Sequence, residues 1–374
     1  MTNLVEDKVE QLRKRAQREI DEGLLPSCQF ALAVDGEVVV QETYGDAPDD
    51  ARYVIFSATK PVVASTAWVL IQQGGLDVSR RVVDYVPEFG GNGKDQVTVE
   101  QVMLHTSGFP RAPLGAPRWF TREDRLQRFA EWKLNWEPGT RYEYHPTSAH
   151  WVLAEIIERI AGRDYREVIR DLVLDQLGLD RLQVGVPESQ QGDVQALEER
   201  GEVATPEEIK AVFGIEVLPA TEVTDEALMG FNDPRVRALG VPGGGGISDA
   251  GSLALFYQEL LHNTKGVWSE KLLHDVKTNV RNNMPDALLG TPAMRTLGLC
   301  TAGDDGRSHF RGFGYTVSGG AFGHNGAAGQ IAWADPATGL SFVYLTNGID
   351  KHTLRQGRRG VALSSIAAEC APRR

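Results

Sequence analysis

The chain has 374 residues, of which 41% are hydrophobic and 24% charged, a mix that excludes a disordered or collagen-like polymer and leaves enough chain for about two lobes of ~150 residues. With 39 Lys and Arg against 51 Asp and Glu, the net charge of −12 opposes nucleic acid and anionic lipid surfaces as partners. The cysteines, Cys28, Cys300 and Cys370, are odd in number and in no zinc or disulfide spacing, which fits a reducing compartment. Residues 1–23 are charged throughout and lack the apolar stretch of roughly 7 to 15 residues that a secretory signal needs. Val62 to Ile71, the longest apolar region, is broken by Ser65 and Thr66 and falls short of the roughly 20 residues that span a bilayer. The expectation is a cytoplasmic protein without a membrane anchor.

Leu4, Val5, Val9, Leu12, Ala16 and Ile20 recur at helical spacing, with Asn3 and Glu6 as a capping-box-like start and Gly23 as a stop. Phe30, Leu32 and Val34 then alternate up to the turn pair Asp35-Gly36, and Val38 to Thr43 returns as the second strand of a hairpin. Helical patterns follow at Pro61 to Gln73, Arg122 to Trp132, Ala149 to Ala161 and Tyr165 to Leu177. Residues 182–235, rich in Glu, Gln, Asp and Pro, read as exposed excursions over a cleft or far from it. Arg311 to Ser318, Gln330 to Ala334 and Leu340 to Thr346 read as strands, and a closing helix is expected around Val361 to Cys370.

Strands at both termini must meet in space if they form one sheet. The expected architecture is therefore α+β, or mixed α/β. An antiparallel sheet built from both ends, 1–60 and 240–374, is flanked by helices and interrupted by a mostly α-helical domain over 61–239. A cleft between the two holds the site.

The chemistry starts at Ser57-Ala58-Thr59-Lys60, between the apolar residues Val54 to Phe56 and a helical run. If the helix begins at the serine, Ser57 and Lys60 share a face, so the amine can ease ionisation of the hydroxyl or take its proton. The competing reading of this segment is an N-capping serine with a solvated lysine. Four further segments follow in order: Leu104-His105-Thr106-Ser107-Gly108-Phe109-Pro110; Pro138-Gly139-Thr140-Arg141 with Tyr144; Gly243 to Ser248; and Gly323-His324-Asn325-Gly326 followed by Trp333-Ala334-Asp335-Pro336. This series, over roughly residues 25 to 350, closely resembles the β-lactamase-related serine hydrolases: class C β-lactamases, D-alanyl-D-alanine carboxypeptidases and family VIII carboxylesterases. The resemblance implies their β-lactamase/transpeptidase-like fold.

It also implies Ser57 as nucleophile, Lys60 as its proton partner and Tyr144 as the tyrosine from the helical domain. His324, Asn325 and Gly326 match the Lys-Thr-Gly or His-x-Gly triplet that lines the cleft and meets substrate. The oxyanion donors it implies are the backbone N–H groups of Ser57 and Ala327. A phenol and an ammonium are both poor bases at neutral pH, so one of the pair Lys60 and Tyr144 must shift, and which is formally the base stays open. Tyr142, on the same face of an extended segment, is the alternative phenol. His324 is expected to orient substrate or to supply partial positive charge at the cleft edge. His105 belongs to a segment that is structural in the family, and His145 and His150, five apart, do not make a zinc helix, so no metal and no cofactor are expected.

One departure stands out. Family β-lactamases and peptidases carry Tyr-x-Asn, whereas this chain reads Tyr144-His145-Pro146-Thr147-Ser148. Proline lacks the side-chain amide, and Ser148 is left between a substitute role and a helix-cap role. Without that amide, an ester asks less of the site than a β-lactam or a D-Ala-D-Ala peptide. The expected function is thus a serine hydrolase working through an acyl-enzyme, a carboxylesterase on short or medium acyl esters, whose partner is a small-molecule ester or amide. A β-lactamase or D-Ala-D-Ala carboxypeptidase is the runner-up. The rival of another class is a non-catalytic binding relative, against which the intact Ser57, Lys60 and Tyr144 speak. Gly246-Ile247-Ser248-Asp249-Ala250 is one residue short of an α/β-hydrolase elbow and would place its partners in the wrong order. Gly243 to Gly246 matches no nucleotide loop and reads as backbone passing close to the cleft.

Overall fold

Asp35 and Gly36 have φ of 53° and 83°, the two left-handed residues that a two-residue hairpin turn requires. In the computed structural model, which describes residues 4–217, 223–287 and 289–374, they join Ser27–Val34 to Glu37–Gly45. The main sheet runs Glu37–Gly45, Ser27–Val34, Leu340–Thr346, Ile331–Asp335, Phe322–Gly323, Cys300–Thr301, each strand antiparallel to its neighbours. Cys28 lies opposite Thr346 and Val34 opposite Leu340, so both ends of the chain build one sheet, as expected.

Ser27–Val34 is buried on both faces, and its alternation sorts the core. Phe30, Leu32 and Val34, with Phe342, Tyr344 and Trp333, meet Val9, Leu12 and Ala16 of the helix Glu6–Asp21 and Leu363 and Ala367 of the helix Thr353–Ala368. The opposite face carries the small residues Ala31, Ala33, Ala332 and Ala334 and lets the helix Ala250–His262 lie close. Gln258 of that helix donates through Nε2 to Ala33 O at 2.8 Å and Gly339 O at 3.1 Å.

Several local expectations are corrected. The first helix starts after Val5, which makes no side-chain cap, and Asn3 lies outside the described residues; the stop at Gly23 has φ of 67°. Arg311 to Ser318 is not a strand. Ser308–Arg311 forms a helical turn, Gly312 turns with φ of 88°, and a Cβ on Gly314 would lie 2.4 Å from Ser365 N, so the segment is pressed against the last helix and leaves the ladder to Phe322–Gly323. The closing helix begins at Thr353 instead of Val361 because its first turns pack through charge: His352 accepts from Arg355 N, and Arg355 and Arg359 reach Asp350.

Arg359 is 1% exposed and bridges Asp350 at 2.6 Å to Glu19 of the first helix, tying the chain termini together. Burial opposes the charge of Asp350, but Arg355, the His352 N–H and Arg359 outweigh it and hold the carboxyl below its usual range. Arg359→Met leaves Asp350 with only Arg355 and the His352 N–H and Glu19 with only Arg15, and is expected to lower stability by about 1–3 kcal/mol in urea unfolding at neutral pH. The depressed Asp350 contributes stability above its unfolded value that is lost as pH falls through the folded one, so the wild-type advantage should shrink in acid.

The middle of the chain is mostly helical. Lys60–Gln72 is buried from Lys60 to Leu70 and packs on Ser148–Ala161, which packs on Tyr165–Ile169, a helix that continues through one π-type turn at Arg170–Leu174. Residues 182–235 are less detached than expected. Gln183–Val184 pairs with Gly246–Ser248, which in turn pairs with Tyr53–Val54, and Glu198–Arg200 runs parallel to Gly348–Asp350. Strands of two or three residues carry no readable alternation. Among the described residues no helix is long and apolar enough to cross a membrane.

Candidate active site

Tyr53–Val54 delivers the chain to Ser57 through a sharp turn in which Phe56, although not glycine, has φ of 44°. A helical turn over Phe56–Thr59 then runs into the helix Lys60–Gln72, so Ser57 and Lys60 do share a face. Lys60 is 1% exposed and donates through Nζ to Ser57 Oγ at 3.0 Å, Pro146 O at 2.7 Å and Gly243 O at 2.6 Å. The lysine is therefore not solvated, and the serine does not cap with its side chain. The glycine run explains itself at the same place. A Cβ on Gly243 would lie 2.8 Å from Pro146 O, and one on Gly246 would lie 2.6 Å from Thr59 Oγ1, which accepts from Gly246 N.

Tyr144 stands beside this pair, with Lys60 Nζ 5.0 Å from its ring centroid. Its hydroxyl is 3.5 Å from His324 Nε2. His324 Nδ1 lies 2.8 Å from Asn325 O. A carbonyl only accepts, so the proton sits on Nδ1 and the Nε2 lone pair faces the Tyr144 hydroxyl. Burial, then Arg295 and Lys60, push His324 well below its ordinary value, so the ring is neutral and supplies no cation at the cleft. Tyr142 is 4% exposed, and burial raises its phenol; Lys60 lies on the ring of Tyr144, which favours Tyr144 over its neighbour.

Two cavities meet at Ser57, and Val223 and Ala327 border both. One, of about 510 Å³, is walled by Phe56, Leu114, Trp119, Leu228 and Phe231. The other, of about 360 Å³, is the more polar of the two and holds Tyr142, Tyr144, Thr291, Arg295 and His324. Among the described residues, neither Ser57 N nor Ala327 N donates to a backbone carbonyl. Ala327 opens a helical turn that Ala328, at φ of 55°, kinks. Gly326 passes so close to Ile55 that a Cβ would lie 2.3 Å from its carbonyl oxygen. Asn325 borders the polar cavity, but its amide is engaged with backbone, donating to Gly312 O at 2.5 Å and accepting from Ala332 N at 3.1 Å.

His105, His145 and His150 form a buried layer under Tyr144. His145 donates from Nδ1 to Glu143 O at 2.6 Å and accepts at Nε2 from Ser107 Oγ and Phe109 N, and burial pushes it down to about 3. His105 Nδ1 accepts from His145 N, and its ring lies 4.7 Å from that of Tyr144. Ser148 Oγ donates to Phe109 O at 3.1 Å, so the serine is spent on holding a loop and does not replace an amide at the cleft. Two groups escaped the sequence reading: the Pro146 carbonyl that holds Lys60, and Arg295. A backbone acceptor leaves no trace in residue identity, and Arg295 sits in no motif.

The model of the Beta-lactamase family matches residues 5–365. Among curated relatives, the Esterase/beta-lactamase LipL of Mycobacterium tuberculosis is 27% identical, over 85% of this chain and 76% of its own. The N-acetylmuramyl-L-alanine amidase of Bacillus subtilis is 26% identical, over 92% and 82%. Among solved structures, a penicillin-binding protein homolog from Caulobacter crescentus superposes with a TM-score of 0.77 at 25% identity, covering 96% of this chain and 97% of that one. A family VIII carboxylesterase superposes at 0.76 and 23% identity, over the same shares. The chain belongs to the Beta-lactamase family and is a serine hydrolase of that fold, in a family that includes esterases, carboxypeptidases and β-lactamases.

Proposed function

We propose that the protein is a carboxylesterase that forms an acyl-enzyme on Ser57 and acts on short or medium acyl esters. Ser57 Oγ attacks the ester carbonyl carbon while its proton passes to the coupled pair Lys60 and Tyr144, and that proton then leaves with the alcohol. Lys60 suits the task in either protonation state. As an ammonium it donates to all three of its neighbours; as an amine it donates to the carbonyls of Pro146 and Gly243 and accepts the serine proton. The oxyanion is held by the N–H groups of Ser57 and Ala327. Water then attacks the acyl carbon and gives a proton to the pair, the bond to Ser57 Oγ breaks, and the pair passes that proton to Oγ as the acid is released.

The observation that carries this reading is the Lys60 Nζ contact to Ser57 Oγ at the junction of the two cavities. Esters are favoured over lactams and peptides because Ser148 and Asn325 are both committed to backbone, which leaves neither to bind a substrate amide. The larger cavity's apolar wall suits an acyl chain. The purified protein should cleave p-nitrophenyl acetate or butyrate with a kcat/KM at least about tenfold above nitrocefin or a D-Ala-D-Ala peptide, a gap of about 1.4 kcal/mol. Faster turnover of nitrocefin or the peptide would transfer the assignment to a β-lactamase or peptidase. Absence of any adduct after treatment with a fluorophosphonate, read by mass spectrometry on folded protein, would leave a binding protein.

A further inference from the structure

Arg295 projects from the segment before Cys300–Thr301 into the polar cavity beside Ser57, Tyr142, Tyr144 and His324. Its Cζ lies 5.3 Å from the Tyr144 ring centroid. Its Nε is buried without a hydrogen-bond partner, and among the described residues no carboxylate lies within ion-pair distance of it. The other arginine of that cavity, Arg311, is by contrast paired with Asp305 and donates to the carbonyls of Ala302 and Pro292. A guanidinium with its Nε buried and no counter-ion needs electron-rich neighbours, and here these are the Tyr142 phenol, which it hydrogen-bonds, and the face of Tyr144.

We infer that Arg295 is a positioning residue whose charge, acting together with Lys60 on the ring of Tyr144, holds that phenol ready to accept the proton of Ser57. The inference rests on the reading of Tyr144 as a proton carrier. Among the described residues, groups facing Tyr144 include Lys60, Arg295, His105 with ring centroids 4.7 Å apart, and His324 with ring centroids 5.8 Å apart. Burial keeps both histidines neutral, and His324 presents a lone pair to the hydroxyl, which disfavours a phenolate. Among the described residues, the positive charge that favours it is that of Lys60 and Arg295. Around Arg295 itself stand Tyr142, Cys300 and Tyr144, with His105, His150 and His324 beyond. Burial opposes its charge, but nothing brings a guanidinium within reach of neutral pH, so it stays a cation. Asp286, on the rim of the cavity, accepts from Leu289 N. Ionising Tyr144 enriches its ring in electrons, so both cation contacts strengthen as the proton leaves.

The test compares wild type, Arg295→Met and Arg295→Lys in two measurements. The first is kcat and KM for p-nitrophenyl butyrate across pH. The second is the ultraviolet difference titration of the Tyr144 phenolate, taken against Tyr144→Phe in each background. Arg295→Met should move the acid limb of kcat and the phenolate titration upward together, by about 1–3 pH units, with KM within about twofold, and Arg295→Lys should recover most of the shift. A lower kcat with both curves unmoved would reduce Arg295 to packing, and a raised KM with both unmoved would make it a substrate contact; either overturns the inference. A shifted phenolate titration with an unmoved acid limb upholds the charge effect and overturns Tyr144 as the proton carrier. Should Arg295→Met fail to fold, a smaller upward shift in Arg295→Lys upholds the inference and its absence overturns it.

Discussion

Ser57→Ala is expected to lower kcat on p-nitrophenyl butyrate by about 10⁴-fold or more, and to abolish labelling by a fluorophosphonate, with little change in stability. The size of the loss follows from the covalent step, because no other group at the junction of the two cavities replaces the serine oxygen as the bond-forming atom. Stability is spared because Ser57 is only half-buried and its Oγ supplies one of three acceptors to Lys60, whose contacts to Pro146 O and Gly243 O survive. Rates on the purified variant, with urea unfolding alongside, check both halves. Activity within tenfold of wild type would remove Ser57 from the chemistry and with it the proposed acyl-enzyme.

Lys60→Met is expected to fail on both counts at once. Losing the amine removes one member of the proton pair, a loss of about 10²–10⁴-fold in kcat. It also leaves the carbonyls of Pro146 and Gly243 buried without their donor, at about 1–3 kcal/mol each. These two carbonyls belong to segments 86 and 183 residues away in sequence, so the lysine is a structural tie between the tyrosine loop, the glycine run and the serine helix as well as a proton partner. The variant should therefore unfold at clearly lower urea than Ser57→Ala while retaining less activity than its loss of stability explains. Equal stability of Lys60→Met and wild type would show that the two carbonyls find other donors.

Of the proposed reactive residues, Ser57 and Lys60 were legible from their spacing and Tyr144 through the family resemblance. Ser57 and Lys60 lie one helical turn apart, and Tyr144 follows a Pro-Gly turn. Tyr142 could not be separated from Tyr144 by alternation alone, since both lie on one face of an extended segment; the position of Lys60 over the Tyr144 ring makes the distinction. His324 was legible as a site residue but not in its role. Its tautomer is set by the Asn325 carbonyl, and its neutrality by burial next to two cations, neither of which is written in the motif. Ser148 shows the same limit, for a hydroxyl at a helix start reads alike whether it serves a substrate or, as here, the carbonyl of Phe109.

The sequence by itself determined the sheet built from both termini, the hairpin at Asp35-Gly36, the long helices and the serine–lysine pair, because each rests on local periodicity, turn chemistry or a spacing within one helical turn. Only the tertiary structure decided the late strand at Phe322–Gly323, the early start of the closing helix at Thr353, the commitment of Asn325 and Ser148 to backbone, and the arrival of Arg295 beside Tyr144. Those depend on close approach between segments far apart in the chain, where a backbone carbonyl or a missing Cβ does the selecting. A carbonyl is common to every residue, so no pattern of side chains announces which one will be used.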